Sequence, residues 1–311
     1  MNPFNLPNDH FEARKMILIE STSASMQCCV EYINERYERR TLLQQAINFC
    51  THDLNDTPCG DVKSLSAVGF FPWVEASQEL DQSLSLILKS NIKSAYDSYR
   101  RAIELVITGA FFVSDHTDSS KARAWIRSDK STPSFKRACE DLAKNGYFES
   151  LNNKFDWLKD VMSIYWRFFN IIHVQGINNS FKEISPTYSF FNGIGVPAFT
   201  EKSCKNALDD YILTVSCIAT IVATSNPHLL QGLDLDVKFG FNPPISGFFY
   251  PEQAERLMEL IPEKYTPYFK ELLRTNEHII SVRSWFEAHP NITEEELSDQ
   301  IRRFDGYMWD K

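Results

Sequence analysis

Between Asp156 and His173 the polar residues recur at intervals of 4, 3, 4, 3 and 3: Asp156, Asp160, Ser163, Arg167, Asn170 and His173. The residues around them are almost all apolar, among them Trp157, Leu158, Val161, Met162, Ile164, Tyr165, Phe168, Phe169, Ile171 and Ile172. On a helix this spacing lines the six side chains along one narrow ridge and surrounds the ridge with hydrophobic surface. A helix so apolar is largely buried, and an Arg and a His on it then need partners or a groove. The pattern predicts a core helix from about Asn152 to about Val174, ended by Gln175-Gly176.

Helical periodicity also governs the rest of the chain. Residues 9–53 carry it with Asn8 or Asp9 as cap, and Pro58-Cys59-Gly60-Asp61 breaks it. A long helix is expected over 75–113, a short one over 119–128, and another from Thr132-Pro133 to Ala143, stopped at Asn145-Gly146. Residues 177–200 read as a loop. Thr200 caps a helix over 201–224 that Ser225-Asn226-Pro227 ends. After an irregular stretch rich in Gly and Pro, three helices follow over 252–261, 266–288 and 293–304, the last opened by the capping box Thr293-Glu294-Glu295-Glu296. No repeat and no βαβ alternation occurs. The fold class is therefore all-α: a helical bundle over 1–225, an irregular linker over 226–250, and a small helical C-terminal region over 251–311.

Charge narrows the function classes. The net charge is −9 and the pI about 5.4, against a broad nucleic-acid-coating surface but compatible with a small local cationic site. Residues 251–311 hold 8 Lys and Arg against 13 Asp and Glu, so this acidic region is a candidate surface for a protein partner. Seven cysteines include an adjacent Cys28-Cys29 pair and no Cys-x-x-Cys, which argues against a disulfide framework or zinc site and for a reducing, cytoplasmic setting. Neither a signal peptide nor a membrane span is expected, the longest apolar window, 211–223, being too short to cross a bilayer. Asp234-Leu235-Asp236, His116 near Asp115, and His10 near Asp9 lack metal-ligand spacing, and Gly193-Ile194-Gly195 lacks the third glycine of a dinucleotide loop. No cofactor and no metal is expected.

The chemistry then rests on the ridge. Arg167, Asn170 and His173 span roughly 120° of helical arc, so all three reach one ligand centred over Asn170. Arg supplies a planar charge suited to phosphate, His exchanges a proton near neutral pH, and Asn donates to an oxyanion or orients the His. Those groups suffice to cleave RNA without a metal. Glu104, in an apolar turn of Tyr99-Arg100-Arg101-Ala102-Ile103-Glu104-Leu105, needs a cation: Arg100 or Arg101 locally, or Arg167 across the bundle. The plainer account is that the stripe is the solvent side of a packed helix, with His173 stabilised by the helix dipole.

Arg100-Arg101-x-x-Glu104 followed by Tyr165-Trp166-Arg167…His173 resembles the HEPN superfamily of helical domains, over roughly residues 75–176. In that family an Arg is followed by a His five to seven positions on. Here the residue after the Arg is Phe168, where the family commonly has a polar one. The resemblance implies a four-helix core, a homodimer with two Arg/His sets facing one groove, and metal-independent endoribonuclease activity on RNA in toxin–antitoxin or anti-phage defence. It implies that Arg167 binds the scissile phosphate, His173 is the acid/base and Glu104 orients the site, while Asn170 is assigned from ridge geometry alone. Other members have lost catalysis and act as dimerisation or adaptor modules, and that is the alternative carried forward, with nucleotide binding in the ridge groove as a third.

Overall fold

The computed structural model describes residues 9–56, 70–114, 124–125, 127–172, 198–241, 243 and 247–309. Every regular element among them is helical. The expectations for Pro58–Asp61, most of 119–128, nearly all of the 177–200 loop, and His173 itself lie outside the described residues.

Helix α1 (His10–Glu35) starts where the Asp9 carboxylate accepts from the amides of Phe11 and Glu12. It stops well before residue 53: the chain turns at 36–39 and restarts as α2 (Arg40–Asn48), which runs on through a π-helical turn (Phe49–Asp53) and a last turn (Leu54–Asp56). The wider turn sends Phe49, Cys50 and Asp53 all into the interior.

The single helix expected over 75–113 is instead a hairpin of α3 (Phe70–Leu88) and α4 (Ile92–Ser114). The cause is Ser90, at φ +57. Its amide donates to the Ile87 carbonyl and that of Asn91 to the Leu86 carbonyl, each at 2.8 Å, the paired bonds of a Schellman stop built without glycine. The arms are antiparallel: the Trp73 indole N–H donates to the Val106 carbonyl at 2.9 Å, and Arg101 pairs with Glu79 at 2.8 Å.

The ridge helix is corrected in the same way. Asp156 is left-handed at φ +55 and separates α6 (Gly146–Phe155) from α7 (Trp157–Ile172), so it does not share a face with Arg167. Asp tolerates this conformation because its short polar side chain bonds locally. Before these, α5 (Phe135–Leu142) begins at Ser134, close to the expected start.

Helix α8 (Glu201–Ser225) is capped by Thr200, whose hydroxyl accepts from the Ser203 amide. Among the described residues it alone is long and apolar enough to cross a bilayer, and 89% of its most apolar window is buried inside the bundle, as in a core helix. Its buried Thr214, Thr220 and Thr224 donate to carbonyls one turn back, which satisfies hydroxyls that would otherwise be stranded. Helix α4 sits at the centre of the bundle, packed by α3, α5, α7 and α8. The core thus takes one of its helices from beyond residue 176.

The chain then forms a 3₁₀ turn (Pro227–Gln231), α9 (Leu235–Phe239), α10 (Pro251–Leu260), α11 (Thr266–Thr275), α12 (Glu277–Ala288) and α13 (Glu294–Trp309). The helix expected over 266–288 is cut at Asn276, whose side chain caps α12 through the Ile279 amide. The Thr293/Glu296 capping box forms reciprocally. Packing continues across 226–250: Leu229, Phe249, Leu257 and Phe269 are fully buried in the same hydrophobic cluster as α4. Arg256 of α10 pairs at 2.6 Å with the wholly buried Asp53 of the π turn.

Candidate functional site

Helix α7 is fixed by its inner stripe, Trp157, Val161, Phe168 and Ile171. Each such side chain contributes about 1.5–3 kcal/mol on burial. Phe168 packs 5.5 Å from Tyr96 and 5.6 Å from Tyr99, ring to ring, so the position after Arg167 belongs to the core.

Anchoring Phe168 inward leaves Arg167 half exposed, at 46% of its side chain, with its Nη2 2.8 Å from Oδ2 of Asp210 on α8. Asp210 is only 5% exposed. The same oxygen accepts from the Tyr96 hydroxyl at 2.6 Å. Arg167 therefore helps to compensate a buried carboxylate. A phosphate reaching it competes with Asp210.

Glu104 belongs to another cluster. Its Oε1 accepts from the Tyr165 hydroxyl at 2.8 Å and lies 3.5 Å from Arg100 Nε, an ion pair within α4. Burial, then the Glu104 hydrogen bond, pushes the Tyr165 phenol up to about 12, and Phe135 stacks on its ring at 4.0 Å. Tyr165 and Arg167 are two residues apart and so point about 200° apart around α7. Along α4, Tyr96 and Glu104 are eight residues, about 12 Å, apart. Of the expected site residues, then, Arg167 and Glu104 are not brought together. Asn170 is half-buried on the last turns of α7. The upper ridge serves a third purpose: Asp160 accepts from Lys264 and from the Tyr265 hydroxyl, tying α7 to the turn after α10, and Ser163 is exposed.

Comparison with models of known protein families, with characterised proteins and with solved structures finds no match to this chain. The site is therefore read from its own chemistry. Among the described residues no three of His, Cys, Asp and Glu gather as metal ligands.

The residue that sequence reasoning missed is Asp210. Its neighbour Asp209 accepts from Tyr37 at 2.9 Å and pairs with Lys205 at 2.8 Å and Arg39 at 3.2 Å. Burial raises the Asp209 carboxyl, but the hydrogen bonds from Lys205 and Tyr37 outweigh it and hold it below the usual carboxylate range. The two aspartates stitch α8 to the α1–α2 turn on one side and to α4 and α7 on the other. Chemically the cluster is built to neutralise buried charge between helices. A buried carboxylate in Leu208-Asp209-Asp210-Tyr211-Ile212 was open to the argument that singled out Glu104.

Proposed function

We propose that this chain is a non-catalytic helical interaction module that pairs with a second copy of itself along α1. The observation that carries this reading is the outward side of α1. Phe11 is 71% exposed, and Leu18, Ile19, Met26 and Val30 are exposed with it. These five positions fall within roughly 120° of helical arc and extend about 28 Å along the axis. None of residues 10–24 is buried. Lys15, paired with Glu12, and Thr22 share this arc, so the surface is a row of exposed apolar side chains with polar ones set between them, and it is this row that supports association. Antiparallel pairing about a two-fold axis sets the Phe11 end of one helix against the Val30 end of the other, a self-complementary seam. Light scattering on the purified chain should give twice its 36.0 kDa mass, and Leu18→Asp with Ile19→Asp should return it to monomer with its helical content kept and its melting temperature no longer dependent on concentration. A wild-type chain that stays monomeric throughout the micromolar range rejects the reading.

A second reading keeps the HEPN-like, metal-independent endoribonuclease, on the observation that Arg167 is half exposed near the end of α7, with His173 following it in the chain. In that reading Arg167 leaves Asp210 for the scissile phosphate and His173 moves the proton. RNA cleavage in chelator, abolished by Arg167→Ala and by His173→Ala, would establish it. Intact RNA with the wild-type chain leaves the interaction module.

A further inference from the structure

Of the 26 residues of α1 only Ser25, Cys29 and Tyr32 are buried. Cys29 meets α8, where its Sγ lies 3.1 Å from that of the buried Cys204, 175 positions further along the chain. A disulfide spans about 2.05 Å, so the two sulfurs need to approach by only about 1 Å to bond. The seam around them is held in register on both sides of the chain turn. Arg36 pairs with Glu201 at 2.7 Å, and the Tyr37 hydroxyl donates to Asp209 at 2.9 Å. The sulfur contact is therefore built by the packing of the two helices.

The pair also differs in its chemistry from the other buried thiols. Burial pushes Cys50 and Cys217 up to about 12 and raises Cys139 as well, so these three stay protonated. At Cys29 the hydrogen bond from Cys204 outweighs burial and holds the thiol below its ordinary value. Cys204 is raised by that same bond and then by burial. Cys29 is thus the attacking sulfur and Cys204 the resolving one. Access comes from α1 itself. None of residues 10–24 is buried, so the helix upstream of the pair is held by little apolar contact. Local opening of such a segment costs far less than global unfolding, and it admits a small solute to Cys29.

We propose that Cys29 and Cys204 form a modification site, which a hydroperoxide converts to a disulfide that ties α1 covalently to α8. With hydrogen peroxide, the Cys29 thiolate attacks one oxygen: an S–O bond forms, the O–O bond breaks, and the departing hydroxide takes up the proton Cys29 released. Cys204 then attacks the sulfenic sulfur: the S–S bond forms, the S–O bond breaks, and the oxygen leaves as water with the Cys204 proton. Two thiols lose two electrons and two protons, and the peroxide is reduced to two waters. The site goes beyond the self-association of α1 and does not rest on it, since both sulfurs belong to one copy of the chain.

The test treats the reduced full chain with hydrogen peroxide at neutral pH, alkylates it with iodoacetamide in urea, and maps its peptides without reductant. A pair of peptides joined through Cys29 and Cys204 is expected, while Cys50, Cys139 and Cys217 are alkylated as in the untreated chain. Dithiothreitol should return both thiols. The oxidised chain should unfold at a higher urea concentration than the reduced one, because the bond closes a loop of 175 positions. In Cys204→Ser, dimedone should trap Cys29 as the sulfenic acid and no joined peptide should form; if that variant does not fold, the wild-type map decides alone. Full alkylation of Cys29 and Cys204 after Cys28 has been completely oxidised overturns the proposal. So does a bond from either sulfur to a different cysteine, which would mean that oxidation follows exposure rather than the seam, or an unchanged urea midpoint, which would mean that the bond does not clamp α1.

Discussion

Arg167 and Asp210, 43 positions apart in the chain, meet at 2.8 Å across α7 and α8, a half-exposed guanidinium on an almost wholly buried carboxylate. Removing the cation leaves that carboxylate in a poorly solvated place. Arg167→Ala should therefore destabilise the fold by about 1–3 kcal/mol in urea melts. Asp210→Asn placed on top should recover part of the loss, because the buried charge is then gone. A chain that loses RNA cleavage but no stability on Arg167→Ala would show that the guanidinium is kept for substrate.

The Asp53–Arg256 pair is more deeply placed. Asp53 is fully buried, Arg256 reaches both of its oxygens at 2.6 and 3.3 Å, and Gln253 adds a hydrogen bond at 3.2 Å. Taking one partner from a buried pair costs about 3–5 kcal/mol. Arg256→Ala should thus lower the denaturation midpoint more than Arg167→Ala does. If it is neutral, α10 is not seated on the π turn.

Thiol labelling tests the seating of α1. Cys28 is exposed, whereas its neighbour Cys29 is fully buried with its Sγ 3.1 Å from that of Cys204 on α8. In native buffer iodoacetamide should modify Cys28 quickly and leave Cys29, Cys50, Cys139, Cys204 and Cys217 until urea is added. Peptide mapping that finds Cys29 alkylated as fast as Cys28 would show that α1 leaves α8 readily.

Burial, and then the nearby His278, lower the pKa of His228 below its ordinary 6.5. The native state therefore binds this proton less readily than the unfolded chain. The stability so contributed is fully present above about pH 6.5 and is lost as pH falls through the lower native pKa. Between pH 7.5 and 5.5, wild-type stability should fall more steeply than that of His228→Gln, which has no imidazole to protonate. Parallel curves from chemical denaturation would show that His228 is not desolvated.

Local rules carried well where polar side chains cap helices. Asp9, Thr200 and Thr293 with Glu296 all do what their positions suggest, because a cap is a bond between near neighbours. The missed breaks at Ser90 and Asp156 share one cause: left-handed residues that are not glycine, so nothing in composition separates them from helix interior. At the site, the need of Glu104 for a cation was legible and Arg100 supplies it locally. The partner of Arg167 was not, since Asp210 reaches it only once α8, from beyond the expected core, packs on α4.

The position of α4 bears on how the molecule opens. Tyr96, Tyr99, Ile103, Val106 and Ala110 run along it with essentially no contact with water, and helices cover it on several sides. An amide at its middle can trade its hydrogen for deuterium only when the surrounding helices come away together, so its exchange rate reports the free energy of the whole molecule. The amino-terminal half of α1 lies at the other extreme: none of residues 10–24 is buried, so amides there should trade their hydrogen far sooner than those of the rod at the centre.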